Sequence, residues 1–273
     1  SKILQAIFPG LFSVLAASVA AAAATLPHME KLAPGVYAAG FADRYGSANC
    51  GWVALGDQTL MVDTPHGVSV AEFLSEVERT TGKPVRTLVR TRVDPSDEGW
   101  VETLRTRGVR VLDVAAERQS IGDATVGVEV IPYGKVTGGA GAAVFLRESK
   151  ILFAGPASVN GPRARLPGSD MEGWIGALMM LQKLPAERVV PGFGSWGGAV
   201  LLERQRLLFA ELRRQVAYNI AMGIPLARIE KEILIPATFF AWMPYDTPTA
   251  EDIRWLHREM TVPRAPYFDH PPS

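Results

Sequence analysis

Short hydrophobic runs alternate with longer amphipathic stretches along most of this chain. In the first half, four runs rich in valine, leucine and aromatic residues are separated by glycine, proline or polar turns, which is typical of β-strands. They cover residues 35–41, 50–56, 58–64 and 85–91. Residues 68–82 instead place apolar side chains three and four positions apart, so a helix with one buried face is predicted between the third and fourth strands.

The second half of the chain continues this alternation. The predicted elements are a helix at 101–108, strands at 109–114 and 124–134, a hairpin over 142–155 that turns at Glu148 and Ser149, a strand that begins at 188 and ends in a glycine-rich turn, and helices at 170–184 and 199–223. Strands that alternate with helices but also form hairpins indicate an α/β (α+β) domain with layered mixed sheets, not an all-parallel sheet.

Residues 3–26, from Ile3 to Leu26, differ from the rest because these 24 residues carry no charged side chain. That length is enough for one helix to cross a lipid bilayer. Lys2 favours a cytoplasmic amino terminus, which would leave the globular part outside the cytoplasm, in the periplasm of a bacterium. A cleaved signal peptide is the alternative, because Lys2, the apolar stretch and the alanine-rich end also fit that pattern, but we favour an uncleaved anchor.

Charge and cysteine content exclude several classes of function. The chain has 28 Lys+Arg and 28 Asp+Glu, so its formal net charge is zero and gives no reason to expect a nucleic-acid partner. The single cysteine, Cys50, cannot form an internal disulfide or a thiolate-rich zinc site, and we expect it to be buried.

Five short motifs occur in an order that resembles the metallo-β-lactamase superfamily. The first motif is a hairpin pair, LAPGVYAAGF at 32–41 with LMVDT ending just after Asp63. The other four are VRTLVRT leading into TRVDPSDEGW at 91–100, IPYGKVTGG at 131–139, ILFAGP at 151–156 and RVVPGFG at 188–194. Asn49, before the second strand, fits the same pattern. The resemblance implies an αββα sandwich, in which two mixed β-sheets are flanked by helices.

The resemblance also implies where the family's metal ligands would stand, and this chain departs from the family at each of these places. The seven degenerate positions are Arg92, Asp94, Ser96, Asp97, Val136, Pro156 and Phe193. Three of them have no side-chain lone pair, and an arginine would put a permanent positive charge beside any metal ion. We therefore expect no metal, no cofactor and no metallo-hydrolase activity.

Two other readings of the same residues place a function at the former site. The first is a divergent hydrolase rebuilt around Asp94, Asp97, Glu98 and His66, with the histidine as general base. The second is a periplasmic small-molecule binding module that uses the emptied cleft, lined by Val136, Pro156, Phe193 and Trp196. A calcium or magnesium site that adds Asp63 to the acidic residues is less expected, because those ions need six or more oxygen ligands. Pairing of Arg92 with Asp94 or Asp97 would account for the acids more simply.

Residues 192–197 also match the spacing of a dinucleotide-binding loop, with Glu211 downstream. That loop belongs to the first strand–helix–strand unit of its fold, whereas these glycines come late in the chain. We interpret them as a tight turn.

These observations predict three regions: an anchor at 1–27, a metallo-β-lactamase-like domain at 28–235, and an aromatic and proline-rich extension at 236–273. The leading hypothesis is a non-catalytic, single-pass accessory or structural subunit of a larger membrane complex, such as a respiratory or photosynthetic one. Its expected partners are the lipid bilayer and integral membrane proteins, contacted through the anchor and the tail at 262–273.

Overall fold

The structure is a computed structural model, and it describes residues 26–41, 48–114, 117–161, 164–236 and 248–262. These residues form two mixed β-sheets. The first sheet has six strands in chain order: β1 (Met29–Ala33), β2 (Val36–Ala39), β3 (Cys50–Ala54), β4 (Thr59–Val62), β5 (Val85–Val89) and β6 (Arg110–Leu112). Strands β1 to β4 are antiparallel, whereas β5 and β6 run parallel to β4.

The second sheet has five strands, in the order β11-β10-β9-β8-β7. They are β7 (Gln119–Gly122), β8 (Gly127–Lys135), β9 (Ala140–Leu146), β10 (Ile151–Asn160) and β11 (Arg188–Gly194). Strand β11 is parallel to β10, and the other pairs are antiparallel. The predicted hairpin is confirmed, since Ile151 pairs with Leu146 across the turn.

In the described part of the chain, six α-helices lie on the outer faces of the two sheets. They are α1 (Val70–Thr81), α2 (Glu98–Thr106), α3 (Met171–Leu181), α4 (Val200–Ala221), α5 (Leu226–Glu232) and α6 (Ala250–Thr261), and a 3-10 turn (Pro95–Asp97) leads into α2. Among the described residues, no helix combines the length and hydropathy needed to cross a membrane. The predicted anchor at 1–27 lies outside them apart from its last two residues.

Three hydrophobic layers hold the domain together. Side chains from both sheets, such as Val62 and Phe153, fill the space between them. Helices α1 and α2 cover the outer face of the first sheet with Phe73 and Leu104, and α3 to α6 cover the outer face of the second. The αββα sandwich predicted from the motifs is therefore confirmed.

Four described elements were not predicted from the sequence pattern: β1, β7, α5 and α6. Strand β7 is largely exposed and β1 has a single fully buried residue, so both lack the apolar run by which a buried strand is recognised. Helix α6 follows a proline-rich stretch, yet Thr249 and Asp252 form a capping box at its start and Leu256 packs into the core. The aromatic stretch 239–245 and residues 263–273 of the tail lie outside the described residues.

Candidate functional site

Asp63 connects the loops that follow the parallel strands β4 and β5. Its carboxylate accepts hydrogen bonds from the Thr91 amide at 2.8 Å and from the Thr91 hydroxyl at 2.6 Å. The Thr91 carbonyl in turn accepts from the Ala142 amide at 2.8 Å, so the contact extends to the second sheet. Asp63 has a left-handed backbone (φ 57°) and is buried. Burial raises the pKa of Asp63, although the Arg92 charge and the Thr91 hydrogen bonds oppose the shift.

Asn49 fixes the end of β11 beside these loops. Its amide nitrogen donates to the carbonyls of Pro191 and Gly194, both at 2.8 Å, and its side-chain oxygen accepts from the Phe41 amide at 2.7 Å. Because Asn49 is buried, no water replaces these bonds. The end of β11, which carries Phe193, is thereby held against the first sheet.

Asp94 lies in the loop after β5 and caps the start of the 3-10 turn that leads into α2. One of its carboxylate oxygens accepts from the Ser96 amide at 2.9 Å and from the Ser96 hydroxyl at 2.7 Å. Burial alone would raise the pKa of Asp94, but the Ser96 hydrogen bonds and the Arg92 charge together bring it below its usual value. Asp94 is therefore ionised at neutral pH.

Arg92 lies between the acidic residues of this loop and His66. Its Nη2 is 3.2 Å from His66 Nε2 and 3.8 Å from Asp97 Oδ2, and its Nε is 3.8 Å from Asp94 Oδ2. His66 Nε2 is also 3.2 Å from Asp97 Oδ1. The guanidinium carbon lies 5.7 Å from the centroid of the Phe193 ring, a cation–π distance. Arg92 thus pairs with both predicted acidic partners.

Asp97 is buried, as Asp63 is. Only 7% of its side chain is exposed, and burial raises the pKa of Asp97 while the charges of Arg92 and His66 oppose that shift. A buried carboxylate is costly without a counter-charge, so the contact with Arg92 stabilises the ionised form.

His66, Asp94 and Asp97 are the described residues that could together hold a metal ion, since their ligand atoms lie within 4.8 Å of one another. The Arg92 guanidinium contacts all three of them. Its Nε and Nη1 are buried and have no hydrogen-bond partner. A metal ion on these three donors would lie only a few ångströms from a fixed positive charge, which is strongly unfavourable in a buried site. With Arg92 in this position, the donor set does not fit a metal.

The remaining expected site residues are only partly brought together. Glu98, assigned to the rebuilt hydrolase site, instead pairs with the buried Arg90 at 2.9 Å. Val136 is fully buried in the core beneath α3, because its backbone forms a turn in which its amide donates to the Gly139 carbonyl. The Trp196 indole donates to Glu30 at 2.7 Å.

A cavity of about 720 Å³ opens beside Arg92. Pro156 and Phe193 line it as expected, but Val136 and Trp196 do not, because the contacts just described turn these two side chains elsewhere. The other lining residues are Arg92, Val93, Asp94, Pro95, Val114, Thr137, Gly138, Gly139, Ala140, Val159, Arg165 and Trp174. Most of this lining is apolar, so the cavity is suited to an organic molecule.

The floor of the cavity is held by buried side chains of α3 and α4. The Ala157 carbonyl accepts from the Trp174 indole at 2.8 Å and from the Gln205 amide at 3.0 Å, and the Gln205 oxygen accepts from the Val159 amide at 2.9 Å. Val159 and Trp174 were not predicted as site residues from the sequence. The sequence offers one signal for them. Strand β10 continues past Pro156 to Asn160 with mostly apolar residues, and the helix that follows carries a tryptophan.

The glycine-rich segment 192–197 forms a turn only in its second half, because residues 192–194 are the end of β11, which pairs with β10. Strand β11 lies at the edge of its sheet, and the chain then folds back so that the Gly197 amide donates to the Val189 carbonyl at 3.0 Å. Within the described residues, no strand pairs with the free edge of β11, where a dinucleotide-binding fold would continue. Cys50 is buried as expected, and burial raises the pKa of its thiol.

Comparisons with known proteins agree with this architecture. Residues 80–192 match the family model described as the metallo-beta-lactamase superfamily. The metallo-beta-lactamase from Pontibacter korlensis is 21% identical, with a TM-score of 0.59 over 67% of this chain and 99% of that one. TMB-1 (19%, TM-score 0.58, 68% and 98%) and VMB-1 (19%, TM-score 0.58, 68% and 97%) are similar to the same degree. No curated protein sequence matches the chain. Its two mixed sheets, its flanking helices and these likenesses together show that the chain has the fold of the metallo-beta-lactamase superfamily.

Proposed function

We propose that this protein is a non-hydrolytic representative of its fold, and that its cleft binds a small, largely apolar organic molecule. The observation that carries the proposal is the cavity of about 720 Å³ beside Arg92. Sites for small molecules commonly enclose about 300–1,000 Å³ and combine an apolar lining with a few polar groups. This cavity has both properties.

The chemistry of the lining suggests how a ligand would be held. Pro156, Val159, Trp174 and Phe193 offer apolar and aromatic surface for the body of the molecule. Arg92, Asp94 and Arg165 contribute charged groups, so a polar end of the ligand has a place to bind. Because the floor is fixed by buried hydrogen bonds, little ordering of the protein is needed on binding, which favours affinity.

The same geometry argues against metal-dependent hydrolysis. That reaction needs an ion with an open coordination position for water, and Arg92 contacts the three side chains that could hold such an ion. His66 Nε2 lies 3.2 Å from both Arg92 Nη2 and Asp97 Oδ1. Because these contacts already engage this nitrogen, it is poorly placed to act as a general base.

Ligand-induced stabilisation tests the proposal. The native protein is screened against a panel of apolar and amphipathic metabolites, and we expect at least one to stabilise it by about 3 kcal/mol at a concentration of about 100 times its Kd. Ala140→Trp, at the exposed rim of the cavity, is expected to abolish this shift, because the indole would fill the entrance.

Ala71→Trp is the matched control, because it adds the same side chain at an exposed position of α1, on the opposite face of the sandwich. The control is expected to keep the full shift. Equal loss of the shift in both variants would contradict binding in this cavity. Hydrolysis of a panel compound that His66→Ala abolishes would support the divergent hydrolase instead.

Membrane attachment is a separate proposal that rests on the sequence alone. The uncharged segment 3–26 supports a single-pass anchor, an extracytoplasmic domain and a role as accessory subunit of an integral membrane complex. After mild detergent extraction of the native protein, we expect it to co-migrate with larger membrane proteins. Recovery in the soluble fraction, as a monomer, would contradict this role but would leave the proposed ligand site untouched.

A further inference from the structure

We infer that Arg92 has replaced the metal ion of this fold: its guanidinium is the resident cation of a latent metal site, and removing it would expose that site to a divalent ion. The latent donors are His66, Asp94 and Asp97, of which the histidine does not belong to the seven positions inferred from the family resemblance. The inference concerns this cluster and does not depend on the proposed organic ligand.

The contacts of Arg92 place its charge where a bound ion would have to be. One guanidinium nitrogen is 3.2 Å from His66 Nε2 and 3.8 Å from Asp97, and another is 3.8 Å from Asp94. These are three different donor groups, and together they approach two of the guanidinium nitrogens. A side chain held in this way supplies one positive charge at the place where a divalent metal ion would supply two.

Burial makes the acids and the arginine dependent on one another. The Arg92 side chain is 11% exposed and that of Asp97 is 7% exposed, so neither charge is well solvated. The guanidinium also rests on the Phe193 ring, at a position where the family resemblance implies a metal-binding histidine. The arginine and the phenylalanine therefore form a matched replacement, with the ring supporting the cation that took the place of the metal.

Without Arg92, the cluster has the composition of a transition-metal site. One imidazole nitrogen and two carboxylate groups, with ligand atoms within 4.8 Å of one another, can bind one ion and leave positions open for water. Two closely spaced acids would also lose their counter-charge, and an added divalent ion would restore it. Cobalt(II) is a suitable probe, because its visible absorption reports coordination directly.

The experiment is a cobalt(II) titration of four purified proteins at neutral pH, followed by visible absorption. The wild type and Arg92→Lys, which keeps the charge, are expected to bind no stoichiometric cobalt. Arg92→Ala is expected to bind one ion per chain, at least about 10-fold more tightly than the wild type. Adding His66→Ala to Arg92→Ala is expected to weaken this binding by at least about 10-fold, because one ligand is lost.

Two results would overturn the inference. One is stoichiometric binding by the wild type with the affinity of Arg92→Ala; the other is a folded Arg92→Ala protein that binds no cobalt. Circular dichroism establishes folding, and Arg92→Gln replaces Arg92→Ala if the latter does not fold. If neither neutral variant folds alone, recovery of the folded state on adding cobalt supports the latent site, and no recovery overturns it.

Discussion

Replacement of Gly155 with valine is expected to lower the free energy of unfolding by more than about 4 kcal/mol. Gly155 has a left-handed backbone (φ 56°), which a β-branched residue adopts only under strain. An added Cβ would lie 2.6 Å from the Ala142 carbonyl oxygen and 2.7 Å from both Cβ and Oγ1 of Thr91. These backbone and buried side-chain atoms cannot move aside without breaking the contact between the sheets. Urea unfolding followed by circular dichroism measures the change.

Gly223→Val separates the two causes of that loss. Gly223 also has a positive φ (67°), but an added Cβ would meet no atom within 4 Å. Only backbone strain remains there, so the expected cost is about 1–3 kcal/mol. Equal costs at both glycines would mean that the close approach beside Thr91 is not what makes Gly155 necessary.

Asp63→Ala is the second large effect, with an expected loss of about 3 kcal/mol in the free energy of unfolding. The buried amide and hydroxyl of Thr91 would both lose their acceptor, and alanine would occupy a left-handed backbone position. Asp63→Asn is the matched variant, because asparagine tolerates this backbone conformation and its oxygen still accepts from the amide. A loss at Asp63→Asn as large as at Asp63→Ala would contradict the hydrogen-bond explanation.

The difference in unfolding free energy between the wild type and Asp63→Asn is expected to depend on pH. Because burial raises the pKa of Asp63 in the folded state, the unfolded chain releases this proton first as the pH rises. The contribution of Asp63 to stability is therefore complete below its ordinary pKa of about 3.9 and is lost as the pH rises through the folded value. Relative to Asp63→Asn, the wild type should become less stable over this range. A difference in unfolding free energy that does not vary with pH would contradict a raised pKa.

Much of this fold follows from local patterns in the sequence. Strands β3, β4 and β5 are buried runs bounded by turns, and the apolar spacing of α1 shows which face it buries, so these elements were predicted within a few residues of their ends. The exposed strand β7 has no such run. Backbone pairing with β8, the next strand along the chain, holds it in the sheet, and backbone hydrogen bonds leave no apolar pattern in the sequence.

The candidate site was predictable in composition but not in arrangement. Arg92, Asp94 and Asp97 are close in sequence, so their pairing could be predicted. Their distance from His66 could not be predicted, because it depends on how the loops after β4 and β5 pack. The same sequence pattern suggested that Trp196 faces the cleft. Its indole instead contacts Glu30, because the chain folds back after β11, and only three-dimensional packing determines that direction.

Native mass spectrometry of the purified full chain, incubated with equimolar zinc, tests most directly whether the cation in this cleft is a side chain. We expect the mass of the wild-type polypeptide without zinc, because Arg92 already contacts His66, Asp94 and Asp97. A wild-type protein that retains one zinc ion, and loses it when His66 is replaced with alanine, would contradict the account.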